Sequence, residues 1–210
     1  MADLWVRRED YEGQPLTAAE IGADPLEAIE AWVKDAWDRG EPQANAMCVA
    51  TVSGSGRPSA RTVLLKGVDH GLVFFTNYTS AKATDLAETG VAAANFTWLN
   101  IHRQVRASGS VAKISPEASD EYFASRPRGS QIAATASNQS SPLSDRAELE
   151  SAFESIAEAH PDTVPRPAHW GGYRLVPDRI EFWQGRRSRM HDRIEFSRAE
   201  DGWSTQRLAP

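Results

Sequence analysis

Short apolar segments separated by tight turns occupy the chain from residue 46 onward and restrict the folds that it can adopt. The run Ala46–Val52 is followed by the turn Ser-Gly-Ser-Gly, and the runs Ser59–Leu65 and Leu72–Thr76 come soon after it. Two longer runs of the same kind are Val91–Trp98 and His102–Ile114. Because such runs between glycine-containing turns are typical of hairpins, we predict an antiparallel strand at each of them.

Helical segments and a second group of strands complete the pattern. Capping residues before amphipathic runs predict helices at residues 25–40, 80–89, 116–125 and 144–160. The side chains expected to face the core from the first helix are Leu26, Ile29, Trp32, Val33 and Trp37. The last strands are predicted at Trp170–Val176, Arg179–Trp183, Asp192–Ser197 and Gly202–Leu208. The polar segment Arg126–Pro142 lacks a hydrophobic stripe, so we predict a binding loop there.

These elements predict a fold that is mainly β with peripheral helices, a β-barrel rather than a doubly wound sheet. The chain contains no GxGxxG or GxxxxGK[ST] motif, which agrees with this choice. At 210 residues the chain suits one domain, predicted at residues 21–210. Residues 1–20 are predicted to form a flexible N-terminal segment.

Composition excludes several classes of function. A net charge of −6 argues against nucleic-acid binding, and no apolar run approaches the length of a membrane span. The single cysteine, Cys48, and the lack of an export signal predict a cytoplasmic protein. The five histidines form no HxH or HExxH pair, so no metal site is expected.

The stretch Phe182–Arg193, FWQGRRSRMHDR, carries an unusual concentration of positive charge. Four arginines and a histidine follow Trp183 within residues 186–193. Guanidinium groups bind phosphate or carboxylate, and an indole stacks on a planar ring. The stretch therefore suits a planar anionic ligand, although a solvated basic loop on a hairpin is the alternative.

Other polar residues suit a phosphate group. Arg61 and Lys66 bracket a strand and can share a face only if the strand ends or bulges between them. Ser80 and Lys82 lie at the start of a helix, whose free N–H groups attract anions. Gln104 interrupts an apolar strand, and its amide could pair with a heteroaromatic ring.

A second phosphate-type group follows at four-residue spacing. Tyr122, Arg126 and Ser130 would share a face of a continuous helix, but Pro127 makes that continuity doubtful. Two such groups together suit an enzyme that holds a phosphorylated cofactor and a phosphorylated substrate.

Nine motifs, in order along the chain, resemble those of the pyridoxamine 5′-phosphate oxidase family. They are RTVLLK (61–66), FFTNYTSAK (74–82), RQV (103–105), YFASRPRGSQI (122–132), SNQSS (137–141), HWGGYRL (169–175), EFWQG (181–185), RMHDR (189–193) and RLAP (207–210). Each motif alone is weak, but their combination and order are highly specific.

The resemblance implies an FMN-binding split β-barrel that works as a homodimer, with FMN held between the subunits. It implies a C-terminal dimerisation region at about residues 165–210. The implied reaction is the oxidation of pyridoxamine 5′-phosphate or pyridoxine 5′-phosphate to pyridoxal 5′-phosphate, in vitamin B6 biosynthesis and salvage. Oxygen is the implied acceptor, hydrogen peroxide is released, and the amine substrate also yields ammonia.

The resemblance also assigns roles to residues, motif by motif. Its FMN-binding set is Arg61, Thr62, Val63, Leu64, Lys66, Phe75, Thr76, Ser80, Lys82, Gln104, Gln139, Ser140, Trp183 and Arg193. Its substrate-binding set is Lys66, Tyr122, Arg126, Ser130, Arg189, His191, Arg8 and Tyr11. Within that set Arg189 and His191 are the expected catalytic residues, and Arg8 and Tyr11 would belong to an N-terminal lid.

The chain also departs from the family pattern, and other functions stay open. Ala81 stands where a basic residue is common, and Phe75 stands where tyrosine is common. The alternatives are a related split-barrel oxidase of the phenazine type, a deazaflavin F420 enzyme and a non-catalytic flavin or pyridoxal-phosphate binding protein.

Overall fold

One antiparallel sheet of nine strands carries the fold in the computed structural model, which describes residues 10–210. The strands are β1 (Ala46–Val52), β2 (Pro58–Leu64), β3 (Gly67–Val68), β4 (Leu72–Asn77), β5 (Val91–Trp98), β6 (Arg103–Lys113), β7 (Trp170–Gln184), β8 (Asp192–Ala199) and β9 (Gly202–Arg207). The helices are α1 (Ala18–Ile21), α2 (Pro25–Asp38), α3 (Ala81–Thr89), α4 (Pro116–Ser125), α5 (Arg128–Ala136) and α6 (Arg146–Ala159). The predicted fold class is confirmed.

The sheet curls so that its two ends approach each other. Its continuous order is β2-β1-β5-β6-β7-β4-β3, and β2 at one end contacts β4 near the other. The hydrogen-bonded neighbour of β2 is β1, whereas β4 pairs with β3 and β7. The barrel is therefore split between β2 and β4.

A single long strand replaces the two that were predicted at Trp170–Val176 and Arg179–Trp183, so that prediction is wrong. β7 pairs with β4, β6 and β8 along its length. Pro177, which has no N–H group, lies opposite Gly109, and the register shifts there because Asp178 is an extra residue. A β-bulge thus absorbs the proline without ending the strand.

The segment Arg126–Pro142 contains a helix, so its prediction as a loop is wrong. Residues Arg128–Ala136 form α5, which packs against α6 and buries Ile132. One buried apolar side chain leaves no stripe for a periodicity argument to detect. Ile132 belongs to a small second core with Phe123, Val164 and Trp170.

The main core lies between α2 and the sheet. The ring of Trp32 meets Phe182 edge-on at a centroid distance of 5.0 Å, and Leu26 and Ile29 are buried as predicted. Trp37, however, is 60% exposed, so its predicted inward position is wrong. It lies in the last turn of α2, where no element among residues 10–210 covers it.

Part of the N-terminal segment is held against the C-terminal strands. Thr17 and Glu20 form a capping box at α1, and Leu16 is buried. The Leu16 N–H donates to the Asp192 carboxylate at 3.1 Å, and Arg207 donates to the Leu16 carbonyl at 2.8 Å. The flexibility of residues 1–20 and the domain boundary after them stay predictions.

Candidate functional site

A cleft of about 1210 Å³ opens where the barrel is split. It is lined by β2, β4, α4, α5 and α6. Ligand pockets usually measure about 300–1,000 Å³, so this cleft has room for more than one small ligand. The predicted site residues that line it are Arg61, Thr62, Val63, Leu64, Lys66, Phe75, Thr76, Lys82, Tyr122, Arg126, Ser130 and Gln139.

Arg61 and Lys66 reach the same cleft because the strand ends between them. β2 stops at Leu64, so the alternation of side chains no longer applies at Lys66. The Arg61 guanidinium donates to the Val49 carbonyl at 3.1 Å and to the Thr51 hydroxyl at 2.7 Å. A shared face for Arg61 and Lys66 required the strand to end or bulge between them, and the strand does end there.

Lys82 is a buried cation whose partners are neutral oxygen atoms. Its Nζ donates to Gln139 Oε1 at 2.7 Å, to Thr76 Oγ1 at 3.0 Å and to Ser80 Oγ at 3.3 Å. Burial and the neighbouring charge of Arg61 lower the pKa of Lys82 to about 8. The charge of an anion bound here would offset both effects and raise the pKa of Lys82 again.

Lys82 lies in the first turn of α3. Ser80 caps the helix by accepting from the Ala83 N–H, and it is fully buried instead of lining the cleft. Ser140, which also does not line the cleft, accepts from the Ala81 N–H at 3.2 Å. Ser140 has a φ of 74°, a conformation that non-glycine residues seldom adopt. The loop that carries Ser140 and the start of α3 are thus joined at this end of the cleft.

The second cationic group of the cleft lies at the junction of α4 and α5. Pro127 separates the helices, yet Tyr122, Arg126 and Ser130 all line the cleft. The Arg126 guanidinium stacks on Trp170 at 4.7 Å, and burial lowers its pKa. Its Nη1 atom is buried and finds no acceptor among residues 10–210. A buried guanidinium nitrogen needs an acceptor, and a bound anion would supply one.

Sequence reasoning missed Trp170 as part of this site. Its ring stacks on Phe75 at 5.3 Å, and Phe75 stacks on Tyr122 at 4.0 Å. In sequence Trp170 resembles an ordinary core residue of a strand, so only the packing identifies it as the support of Arg126. The sequence also missed the α6 side of the cleft, which comprises Arg146, Leu149, Glu150, Phe153 and Glu154.

Gln104, Trp183 and Arg193 form a row across β6, β7 and β8. Gln104 pairs with Trp183 and Trp183 pairs with Arg193, and directly paired residues point to the same face of a sheet. Arg193 donates to the two Glu181 carboxylate oxygens at 2.8 and 3.0 Å, which raises the pKa of Arg193. No member of this row is among the described residues that line the cleft.

His191 lies beside the row, between aromatic rings. Its ring centroid is 4.7 Å from that of Trp183 and 5.6 Å from that of Tyr11. The Arg186 N–H donates to Nδ1 of His191 at 3.0 Å, so a neutral ring carries its proton on Nε2. Burial and the charge of Arg189 lower the pKa of His191. The ring is therefore a neutral donor through Nε2 near pH 7.

Arg189 lies in the exposed turn before His191. Ser188 and Arg189 have φ values of 55° and 61°, and such strained backbone is concentrated at functional sites. Neither Arg189 nor His191 is among the described residues that line the cleft. Of the predicted lid, Tyr11 packs against His102 with tilted rings whose centroids are 4.5 Å apart, and Arg8 lies outside the described residues.

Metal-binding clusters and membrane-spanning helices are both absent from the described part of the chain. Between residues 10 and 210 there is no group of three or more His, Cys, Asp and Glu side chains that could hold a metal ion. No helix in the same range has the length and apolar character needed to cross a membrane.

Comparisons with known proteins agree with this geometry. The family model described as pyridoxamine 5′-phosphate oxidase matches residues 33–160. The model of the pyridoxine 5′-phosphate oxidase C-terminal dimerisation region matches residues 170–210. Fold and site thus define a split-barrel protein with a C-terminal dimerisation region. The chain belongs to the pyridoxamine 5′-phosphate oxidase family.

Individual relatives are similar over the whole chain. The pyridoxine/pyridoxamine 5′-phosphate oxidases of Burkholderia lata strain 383 and Burkholderia cenocepacia strain HI2424 are each 50% identical over 214 aligned positions. The alignments cover 100% of this chain and 99% of each relative.

Two solved structures share the fold. One is PhzG from Burkholderia lata 383 in complex with tetrahydrophenazine-1-carboxylic acid, with a TM-score of 0.88 and 28% identity over 94% of this chain and 99% of that chain. The other is a pyridoxamine 5′-phosphate oxidase-related, FMN-binding protein from Nostoc punctiforme PCC 73102. Its TM-score is 0.75 with 21% identity, over 89% of this chain and 98% of that chain.

Proposed function

We propose that the protein is an FMN-dependent oxidase that converts pyridoxamine 5′-phosphate and pyridoxine 5′-phosphate to pyridoxal 5′-phosphate. The observation that carries this proposal is the buried Arg126 Nη1, which has no acceptor among the described residues of a cleft that also holds Arg61 and Lys82. Two separate cationic groups in one cleft suit two phosphorylated ligands. Membership of the family supports the same assignment.

FMN, when bound, supplies the redox chemistry, taking two electrons from the substrate and passing them to oxygen to give hydrogen peroxide. Pyridoxine 5′-phosphate becomes the aldehyde by losing two hydrogens. Pyridoxamine 5′-phosphate also consumes water and releases ammonia. The protein itself has to bind and orient the cofactor and the substrate, and to accept or donate protons.

The cofactor phosphate fits the group formed by Arg61 and Lys82. Both are cations in a partly buried place, and Lys82 hydrogen-bonds only to neutral oxygens among the described residues. A phosphate would satisfy both charges, which is the fit that the donor set requires. Residues proposed to line the rest of the cofactor are Thr62, Val63, Leu64, Lys66, Phe75, Thr76 and Gln139. Ser80 and Ser140, which do not line the cleft, are proposed to support this end of the cofactor site through Lys82 and the start of α3.

The substrate phosphate fits the group formed by Lys66, Tyr122, Arg126 and Ser130. Arg126 is fixed by its stacking on Trp170, so its unsatisfied Nη1 is presented in a defined place. Guanidinium and hydroxyl groups together are the donors that phosphate prefers. We infer that this group selects phosphorylated over unphosphorylated vitamers.

The row of Gln104, Trp183 and Arg193 is proposed to complete the cleft of the second subunit. The chain carries a C-terminal dimerisation region at residues 170–210, which includes Trp183 and Arg193. A two-fold dimer makes each such contact twice, so each subunit would give its row to the other cleft.

Arg189 and His191 are proposed to enter the partner cleft with this row. His191 would present Nε2–H to the substrate, since its Nδ1 is already bonded to the Arg186 N–H. The charge of Arg189 would favour the neutral amine, which is the form that can be oxidised. Tyr11, together with Arg8 outside the described residues, is proposed to cover this end of the site as a lid.

A phenazine-type oxidase is the second candidate, because PhzG shares the fold with a TM-score of 0.88. Burkholderia lata strain 383 has both kinds of protein. This chain is 50% identical to its pyridoxine/pyridoxamine 5′-phosphate oxidase and 28% identical to its PhzG. The higher identity and the phosphate-type group at Arg126 favour the first candidate.

Anaerobic mixing of the FMN-loaded protein with each substrate separates the candidates. We expect pyridoxamine 5′-phosphate to bleach the yellow flavin, while unphosphorylated pyridoxamine does so only at much higher concentration. Bleaching by tetrahydrophenazine-1-carboxylic acid alone would support the phenazine-type reaction. If no compound bleached the bound flavin, the protein would be a binding protein and not an oxidase.

A further inference from the structure

The guanidinium of Arg61 rests on two hydroxyl groups that both bond to Asp85. Arg61 donates to Thr51 Oγ1 at 2.7 Å through Nη1 and to Ser59 Oγ at 2.5 Å through Nη2. The same two hydroxyls donate to Asp85 Oδ2, at 2.6 Å from Thr51 and 3.1 Å from Ser59. This network links a carboxylate on α3 to a guanidinium on β2.

The carboxylate decides which way the hydroxyl groups point. A hydroxyl has one proton, and an ionised carboxylate can only accept. Since Thr51 and Ser59 both give their protons to Asp85, their lone pairs face Arg61. The two hydroxyls are also 3.2 Å apart and could bond to each other, which would leave one lone pair fewer for Arg61.

The network leaves part of the guanidinium available. A guanidinium has five N–H donors, and Val49 O, Thr51 Oγ1 and Ser59 Oγ accept three of them. The remaining donors are Nε–H and one Nη2–H, which suit an anion. Asp85 itself does not appear among the described residues that line the cleft, so its hydrogen bonds reach a ligand only through the two hydroxyls and Arg61.

Asp85 also shares a helix with the second cation. It follows Lys82 by three residues on α3, so the two lie on one face of that helix. Lys82 and Arg61 are like charges held close together. Without the carboxylate, the two hydroxyls would no longer be held as acceptors, and the repulsion between the like charges would act against this orientation of Arg61.

We propose that Asp85 is a positioning residue that holds Arg61, through Thr51 and Ser59, in the orientation that binds the cofactor phosphate. This inference rests on the proposed function, because it takes Arg61 as a ligand of the FMN phosphate. Two effects of Asp85 can be separated. Its negative charge alone weakens an anion site, whereas its hydrogen bonds strengthen the site by fixing Arg61.

Titration of the apoprotein with FMN and with riboflavin tests the proposal. Riboflavin lacks the phosphate, so its affinity reports everything except the phosphate contacts proposed for Arg61 and Lys82. We expect Asp85→Ala to weaken FMN binding on the order of tenfold and to leave riboflavin binding unchanged. Thr51→Val, which removes one of the two hydroxyls, should also weaken FMN binding. Asp85→Asn keeps an oxygen acceptor and should recover most of the loss.

Glu88→Ala is the matched control. Glu88 lies on the same helix and accepts from the Gly54 N–H at 2.7 Å, so its removal also deletes one negative charge and one hydrogen bond to the β1–β2 region. It should leave both affinities at the wild-type value. An equal loss of FMN affinity in Glu88→Ala would show a general effect of α3 and overturn the proposal.

Other outcomes also decide the matter. If Asp85→Ala bound FMN as tightly as wild type or tighter, charge would outweigh positioning and the proposal would be wrong. Equal weakening of FMN and riboflavin would show a merely structural role. A wild-type protein that bound FMN no better than riboflavin, or an Arg61→Ala variant without effect, would instead refute the phosphate role of Arg61 and the proposed cofactor site.

Discussion

Lys82 shows how the cleft controls a single charge. Burial and the charge of Arg61 lower its pKa to about 8, whereas a bound phosphate would raise it again. Below about pH 8 the free protein already carries the proton that the complex needs. Above that pH, binding requires proton uptake, so affinity and pH are linked.

We therefore expect FMN binding to weaken as the pH rises above about 8. The dissociation constant should increase by up to about tenfold per pH unit there, and riboflavin affinity should not follow the same curve. Fluorescence titrations at a series of pH values on both sides of that point measure the two dissociation constants. Lys82→Arg, which stays charged, should flatten the profile, and a wild-type slope in that variant would contradict the assignment.

Arg126 should govern selection of the phosphorylated substrate. We expect Arg126→Ala to raise KM for pyridoxamine 5′-phosphate by roughly ten- to hundredfold, because a charged hydrogen bond to the phosphate is lost. FMN content should not change. Arg128→Ala is the control, since Arg128 is exposed and donates to the Ala157 and His160 carbonyls instead of lining the cleft. An unchanged KM in Arg126→Ala would exclude the phosphate role.

The residues of the cleft could be predicted where local motifs carry them. Lys66 follows the end of β2 and Lys82 lies at the start of α3, positions that sequence patterns mark well, and Arg61 lies within a strand whose motif is local. Trp170 and Asp85 could not be predicted, because their contacts with Arg126 and with the hydroxyls beside Arg61 join segments distant in sequence. Their importance depends on packing alone.

Among the elements, β7 depends on a close backbone approach at its bulge. Gly109 lies at the β-bulge, and a Cβ there would overlap the Val176 carbonyl oxygen. A Cβ added at Gly129 in α5 would instead meet no atom within 4 Å. The two glycines therefore form a matched pair for a stability test.

We expect Gly109→Ala to lower the free energy of unfolding by about 1–3 kcal/mol, the usual cost of overpacking. Gly129→Ala should leave it unchanged or raise it by up to about 1 kcal/mol, because alanine is the better helix former. Denaturant unfolding at one protein concentration measures both. If the two variants were equally stable, the bulge would not be the close contact that the structure shows.

The strands themselves were largely predictable, whereas their order and the continuity of β7 were not. Alternation and turns located β1, β2, β4, β5 and β6 within a few residues. The pairing of β1 with β5 and of β4 with β7 depends on distant segments, which local patterns do not specify. α5 was missed because its single buried residue, Ile132, leaves no periodic signal.

The whole molecule is expected to work only as a dimer. Each chain holds a cleft with Arg126 and, outside it, the group of Trp183, Arg189, His191 and Arg193. If the two parts meet across the interface, a mixed dimer should regain one intact site. This holds when one chain has a defect only in its cleft and the other has a defect only in the group outside it.

Co-expression of Arg126→Ala and Arg189→Ala chains tests this arrangement. Either homodimer should keep bound FMN and turn over poorly. Random mixing makes about half of the dimers mixed, each with one intact site, so about a quarter of the wild-type activity should return. Confirmed mixed dimers without recovered activity would show that each site is built within a single chain.

The most direct test of the proposed function is aerobic turnover by the purified, FMN-loaded protein. With pyridoxamine 5′-phosphate as substrate, we expect pyridoxal 5′-phosphate and hydrogen peroxide to form in equal amounts as oxygen is consumed. Free FMN without the protein sets the background rate. Formation of neither product above that background would contradict the assignment as a pyridoxamine 5′-phosphate-oxidising enzyme.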